Sequence, residues 1–308
     1  METKPKVIVI CGATASGKTA LSVELAKQIN GEIISADSMQ IYKDMNIGTA
    51  KVSKEEMQGI KHYLVDCVLP NQRYTVSDFK KAAEEAIEEI LSKGKVPIVV
   101  GGTGLYVNSL IYGIEYQDMK FDEEYRNNLM KKAENPDGLE QLWDEANLID
   151  PEAMKIISKN DKKRIIRVLE IYKATGKTKT EQEILSRAKE IKYDYKVFGI
   201  TMDREKLYER INKRVDIMIN QGLEQEVRNL LNKYSNFPTA MQGLGYKEVK
   251  EYFDGKLSYE EMIEKIKQES RRYAKRQLTW FRANKDTIWL DSEKNTIKEN
   301  IDIILEEL

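Results

Sequence analysis

Apolar and polar positions change their period from block to block along the first hundred residues, and each period predicts an element. Val7-Ile8-Val9-Ile10-Cys11 is a continuous apolar run, short and rich in β-branched side chains, which predicts a strand buried on both faces. From Lys18 to Asn30 the apolar residues Leu21, Leu25 and Ile29 recur at the spacing of one helical face, with Gly31 as the breaker that closes the helix. Glu32 to Ala36 predicts a short strand. Ser77 is expected to cap a helix whose Phe79, Ala83, Ile87 and Ile90 share a face as far as Gly94, and Val96-Pro97-Ile98-Val99-Val100 predicts another buried strand. Strands alternating with helices imply a parallel sheet. From about residue 115 to 190 the strand signals give way to helical stretches separated by Asn135-Pro136-Asp137-Gly138 and Asp150-Pro151. Tyr195 to Met202 returns as a strand, helices follow, and Thr287 to Leu290 predicts a last short strand.

Directly after the first strand, residues 12 to 19 read Gly12-Ala13-Thr14-Ala15-Ser16-Gly17-Lys18-Thr19, a complete G-x-x-x-x-G-K-[ST] loop. Backbone N–H groups of such a loop wrap oxyanions, the lysine adds positive charge, and the threonine offers a hydroxyl to magnesium. The phosphate it holds belongs to a nucleotide or to another diphosphate. The expected fold is therefore α/β: a P-loop NTPase-like parallel-sheet core from residues 1–114 and 195–308, with C-terminal helices and a helical insertion domain at 115–194.

Composition adds bounds. A chain of 308 residues, 41% hydrophobic and 33% charged, can bury a sizeable core in about two domains. Two distant cysteines, Cys11 and Cys67, argue against a disulfide framework, and with one histidine, His62, a zinc site is not expected. No apolar run reaches the roughly 20 residues of a membrane span, and Met1-Glu2-Thr3-Lys4-Pro5-Lys6 carries no signal-peptide core, so a cytoplasmic location is expected. With a net charge of −1, a nucleic-acid surface must come from local segregation of the 50 basic residues.

Ligands of open α/β sheets bind beyond the carboxyl ends of the strands. Two stretches lie there besides the phosphate loop. Ser35-Ala36-Asp37-Ser38-Met39-Gln40 ends the second strand, and Asp37 is a general base, a magnesium partner, or simply a turn aspartate. Gly101-Gly102-Thr103-Gly104-Leu105-Tyr106 follows the third strand, where the glycines either admit a ligand to the backbone or make a tight turn. That strand does not end in the aspartate that serves magnesium in many P-loop phosphoryl-transfer enzymes, which weakens an ATPase reading and leaves a small-molecule kinase open.

Near the C-terminus Ser258-Tyr259-Glu260-Glu261 is a capping box opening a long helix. Its second half, Arg271-Arg272-Tyr273-Ala274-Lys275-Arg276-Gln277-Leu278-Thr279-Trp280-Phe281-Arg282, sets two basic stripes among aromatics, suited to RNA phosphates and bases or to a solvated face. In the insertion Lys162, Lys163, Arg164 and Arg167 form a second basic cluster, with Ile165, Ile166, Leu169 and Ile171 on the core side. Two basic helices favour an RNA substrate over a small metabolite.

These segments, together with Ser38-Met39-Gln40-Ile41-Tyr42 and Gln242-Gly243-Leu244-Gly245-Tyr246, resemble the bacterial tRNA dimethylallyltransferase (tRNA isopentenyltransferase) family, in order and nearly end to end. Ala13 stands where the family commonly has proline, and a C-terminal zinc finger of the eukaryotic kind is absent from these 308 residues. The resemblance implies transfer of a dimethylallyl group from dimethylallyl diphosphate to N6 of the adenine 3′ of the tRNA anticodon. It implies Asp37 as the base with Thr103 beside it, and residues 12–19 with Arg214 on the diphosphate. Magnesium is implied as cofactor, held with help from Thr19. Contacts to the anticodon stem-loop are implied for Asp37, Ser38, Met39, Gln40, Thr103, Arg126, Lys163, Arg164, Arg167, Arg272 and Arg276. No membrane and no protein partner is implied, which is compatible with a monomer. A P-loop nucleotide or metabolite kinase is the alternative, and an RNA-binding module without chemistry a third reading. His62 and the tryptophans are expected to be structural, with Trp280 the exception to watch.

Overall fold

A computed structural model describes residues 4–115, 122–186 and 190–308; Met1-Glu2-Thr3, part of the N-terminal segment judged above, lies outside the described residues. The chain begins β1 (Lys6–Gly12), α1 (Lys18–Gln28), β2 (Gly31–Ser35), α2 (Lys54–Met57), β3 (His62–Tyr63), α3 (Val76–Ser92), β4 (Val96–Gly101) and α4 (Gly104–Ile111). A wholly helical stretch follows: α5 (Glu123–Lys132), α6 (Gly138–Ile149), α7 (Pro151–Met154), α8 (Lys162–Thr175) and α9 (Lys179–Ser186). The chain ends with β5 (Asp194–Thr201), α10 (Arg204–Asn220), α11 (Leu223–Lys233), α12 (Tyr246–Phe253), α13 (Tyr259–Arg282), β6 (Ile288–Asp291) and α14 (Ile297–Glu306). Among the described residues no helix is long and apolar enough to cross a membrane.

The strands pair in the order β3-β2-β4-β1-β5-β6, every pair parallel. Because side chains alternate across a strand, β1 divides its apolar run between two cores. Val7, Val9 and Cys11 pack with Phe79, Ala83 and Ile87 of α3 and Val107 and Leu110 of α4. Ile8 and Ile10 pack with Leu21 and Leu25 of α1 and Ile301 and Ile304 of α14. All five β1 residues are fully buried, as the central strand of a parallel sheet covered on both faces requires. A third core joins Ile41, Tyr42 and Met45, downstream of β2, to α10–α13 through Val215, Leu223, Val227, Tyr246 and Met262.

Two compact units result: Met1–Ile111 with Lys192–Leu308, and Tyr112–Ile191. The second has its own core, in which Leu142 and Ala146 of α6 meet Ile165, Ile166 and Leu169 of α8.

Two local expectations are corrected and one element is added. Thr75, not Ser77, caps α3: its hydroxyl accepts the Asp78 N–H at 3.2 Å while the Asp78 carboxylate accepts the Thr75 N–H at 2.8 Å, placing Ser77 inside the first turn. Asn30 rather than Gly31 takes the left-handed conformation after α1, at φ 53°. Gly31 instead begins β2, where a Cβ would stand 2.8 Å from Ile98 Cδ1. The two-residue edge strand β3 was not foreseen, because two residues carry no measurable period.

Candidate active site

The carboxyl ends of β1, β2 and β4 carry the three motifs side by side, since β4 pairs with both other strands. The phosphate loop, residues 12–17, joins β1 to α1. Ala15 (φ 62°) and Gly17 (φ 94°) are left-handed within it, and such alternation makes a concave nest of N–H groups at the helix start. Thr14 to Thr19, Asp37 to Gln40, Asn46 to Lys51 and Arg214 all line one cavity of about 1040 Å³. Small-molecule sites span roughly 300–1,000 Å³, so a prenyl diphosphate would leave room for an acceptor base.

Cationic charge is concentrated here. The Lys18 ammonium, resting on the carbonyls of Gly12 (3.1 Å) and Ala13 (2.6 Å), is pulled down to about 8 by burial first and by repulsion from Arg214 second, against the opposing pull of Asp37. Arg214, reaching from α10, donates to Thr14 Oγ1 at 3.3 Å and is itself lowered by burial. Two desolvated cations beside a nest of N–H groups form a site with positive charge to spare, which is what a multiply charged anion requires. Ser16 Oγ, in the same loop, is buried without a hydrogen-bond partner.

Asp37 sits at the mouth of the site and its Oδ1 accepts the N–H groups of Met39 (2.8 Å) and Gln40 (3.2 Å). The turn reading of this aspartate is therefore satisfied by one oxygen, Oδ1. Thr103 does not line the cavity. Its hydroxyl accepts the Ser38 N–H at 3.0 Å and donates to Ser38 Oγ at 3.3 Å, so it ties the turn after β4 to the turn that presents Asp37. The glycines of that turn are occupied by protein rather than by ligand. A Cβ on Gly101 would meet the Ala36 carbonyl at 2.1 Å, on Gly102 the Gln277 side chain at 2.2 Å, and on Gly104 the Trp280 ring at 2.2 Å.

Helix α13 closes this side. Arg271 turns to Asn212 at 2.5 Å rather than outward. Arg272 and Arg276 are exposed, Arg272 paired with Glu269 at 2.6 Å and Arg276 lying over the Tyr273 ring at 5.7 Å while lining the cavity. Tyr273 is pushed up to about 12, by burial first and by the Asp37 charge next. Trp280 remains 40% exposed.

The other predicted residues lie in the second unit. On α8, Lys163, Arg164 and Arg167 are exposed opposite the buried Ile165, Ile166 and Leu169. Arg126 of α5 makes a two-pronged pair with Glu170 at 3.0 and 3.1 Å, and Arg167 approaches the same carboxylate at 3.5 Å. Glu170 thereby gathers both arginines.

Glu170, Gln277 and Glu226 bond to predicted site residues or to segments beside them, and the sequence did not single them out. Glu226 of α11 accepts the N–H groups of Asn46 (2.8 Å), Ile47 (2.8 Å) and Gly48 (3.1 Å) and the Tyr246 hydroxyl (2.6 Å), fixing the segment that forms one wall of the cavity. The segment Gln242-Gly243-Leu244-Gly245-Tyr246 thus has a support role, with Tyr246 wedged under Gly48. A Glu at 226 facing amides 180 residues away leaves no sequence signal.

Comparison with known proteins places the chain among prenyltransferases acting on tRNA. The family model described as IPP transferase matches residues 40–284. A tRNA dimethylallyltransferase of Acetivibrio thermocellus is 51% identical over 296 residues, covering 96% of this chain and 94% of the relative. A tRNA isopentenylpyrophosphate transferase of Bacillus halodurans superposes with a TM-score of 0.73 at 42% identity, covering 98% of this chain and 96% of that one. A eukaryotic dimethylallyltransferase, solved acting on tRNA, gives 0.78 at 32% identity over 98% of this chain and 79% of its own. The kinase alternative has no counterpart among these relatives. With a family match across most of its length and relatives at half identity, this chain belongs to the IPP transferase family.

Proposed function

We infer that this protein is a tRNA dimethylallyltransferase, moving a dimethylallyl group from its diphosphate to N6 of the adenine 3′ of the anticodon. The observation that carries this reading is the convergence of Lys18, Arg214 and the loop amides with Asp37 on one cavity, an anion site and a carboxylate facing the same space. Residues 12–19 and Arg214 bind the diphosphate. As the C1–O bond breaks, its electron pair leaves with the diphosphate, and the fixed positive charge stabilises it without reorganisation. N6 attacks C1, and its proton passes to the free oxygen of Asp37. An exocyclic amine is a weak nucleophile because its lone pair is delocalised, and a positioned base contributes typically 10²- to 10⁴-fold.

Magnesium fits the donors present. It takes one or two protein ligands with substrate phosphates and waters, and Thr19 borders, with Asp37, a small space of about 50 Å³. Bound there, it would neutralise charge developing on the leaving diphosphate. RNA is gripped by the exposed arginines of α13 and, in the second unit, by Lys163, Arg164, Arg167 and Arg126. That grip offsets the few kcal/mol needed to unstack the target base. A location in the cytoplasm, where tRNA is abundant, and a monomeric state complete the proposal.

The test is mass spectrometry of unmodified tRNA after incubation with the protein, magnesium and dimethylallyl diphosphate. One five-carbon unit gained on that adenine, and lost with Asp37→Ala, is the expected result. ATP hydrolysis or phosphorylation of a small acceptor, without RNA modification, would return the kinase.

A further inference from the structure

Gln277 is buried in the middle of α13, on the face opposite the exposed Arg272 and Lys275. Its Oε1 accepts the N–H of Thr14, inside the phosphate loop, at 2.9 Å. Its Nε2 donates to the carbonyl of Gly102, in the turn after β4, at 2.9 Å. Both polar ends of one side chain are thus committed to the two backbone segments that frame the diphosphate site and support Asp37. The fit is tight, because a Cβ on Gly102 would stand 2.2 Å from Nε2. The preceding turn of the helix adds Tyr273, which lies beside Thr103 and Gln277. Next to Gln277 in sequence, Arg276 lines the cavity and is open to an incoming phosphate.

A helix carrying RNA-facing cations on one side and a clamp on the phosphate loop on the other mechanically connects two ligands. We propose that Gln277 is a positioning residue that couples RNA binding on α13 to diphosphate binding in the loop. Gln277 already bonds Thr14 and Gly102 without RNA, so RNA that fixes α13 through Arg272 and Arg276 restrains those two segments further, and the loop loses less freedom when the anion arrives. Coupling through one side chain is bounded by the bonds it makes, so RNA should tighten diphosphate roughly 2- to 10-fold, and by linkage diphosphate should tighten RNA by the same factor. The inference rests on the tRNA reading given above.

Titration calorimetry with inorganic diphosphate and magnesium, with and without a saturating hairpin of the unmodified anticodon stem-loop, reads this factor directly. The wild type should show it. Gln277→Leu, which removes both bonds, and Gln277→Glu, which keeps an acceptor for Thr14 but faces the Gly102 carbonyl with a second oxygen, should each bind either ligand alone while the factor falls to one. Circular dichroism confirms that each variant is folded, and the glutamate stands in if the leucine variant is not. Wild-type protein that binds both ligands with a factor of one overturns the coupling and leaves the tRNA reading intact. A variant that keeps the wild-type factor overturns it as well. A wild type that does not bind the hairpin removes the tRNA reading and the coupling with it.

Discussion

Replacing Glu226 by glutamine tests how much of the active-site cavity is held in place from behind. The side chain keeps its size, but one oxygen becomes an NH₂ group that cannot accept. Oε2 takes the N–H groups of Asn46 and Ile47, and Oε1 takes Gly48 N–H and the Tyr246 hydroxyl. With the NH₂ in place of Oε2 the N–H groups of Asn46 and Ile47 face a donor; with it in place of Oε1 only the Gly48 N–H does, because the Tyr246 hydroxyl can rotate to accept. Hydrogen bonds to a charged group contribute about 1.5–3 kcal/mol each. Glu226 is only half-buried, so water takes over part of the loss, and a net cost of about 2 kcal/mol is expected. In a chain of 308 residues that lowers the midpoint of thermal unfolding by roughly 3 °C. Because residues 46–51 line the cavity, the KM for the prenyl diphosphate should rise several-fold while RNA binding holds. Tyr246→Phe removes one bond and should cost about 1 kcal/mol. Glu226 and Tyr246 touch, so the double variant should cost less than the two single ones added together. Calorimetry of the four proteins and steady-state kinetics of the same set decide it. A Glu226→Gln protein with wild-type midpoint and KM would show that the wall stands without its anchor.

Asp37→Asn should bind both substrates and lose 10²- to 10⁴-fold in kcat, read by single-turnover transfer to tRNA; wild-type turnover would remove Asp37 from the chemistry. Lys18 is lowered to about 8 from an ordinary 10.5, so between those values the unfolded chain holds more protons and the folding penalty of this group, complete below pH 8, is relieved as pH rises. A bound anion reverses the shift, so diphosphate binding above pH 8 should take up a proton, visible as a buffer-dependent heat that Lys18→Arg, charged throughout, does not show. Arg272→Ala with Arg276→Ala should weaken tRNA binding and lower the slope of log K against log salt by about 0.7 per lost contact, with circular dichroism unchanged; identical binding at low and high salt would place RNA elsewhere.

What could be read from the sequence were features written within a dozen residues. Val7 to Thr19 specifies strand, loop and helix locally, and the capping box at Ser258 fixes the start of α13 as expected, with its hydroxyl accepting the Glu261 N–H at 3.2 Å. Asp37 could be placed at a strand end but not assigned to a task, because the turn bonds and the free oxygen both use the same residue. The supports could not be read at all. Gln277 meets Thr14 across 263 positions and Glu226 meets Asn46 across 180, and nothing local distinguishes these two polar residues from others on their helices. The Gly-Gly-Thr-Gly turn was visible, yet its neighbours Ala36, Gln277 and Trp280 come from distant parts of the chain.

The strand order also sets a timetable for biogenesis. β1 emerges first from the ribosome and ends between β4 and β5, pairing Ile8 with Ile98 on one side and Lys6 with Asp194 on the other. At roughly 5–20 residues per second, its second neighbour arrives about 10 to 40 s after β1 itself. Through that interval the apolar strand β1 leaves one row of N–H and C=O groups unpaired while residues 112–191, a compact unit of their own, are made. The helical insertion is therefore also a delay line, and ribosome-associated chaperones should be retained on nascent chains until about residue 201 has cleared the exit tunnel.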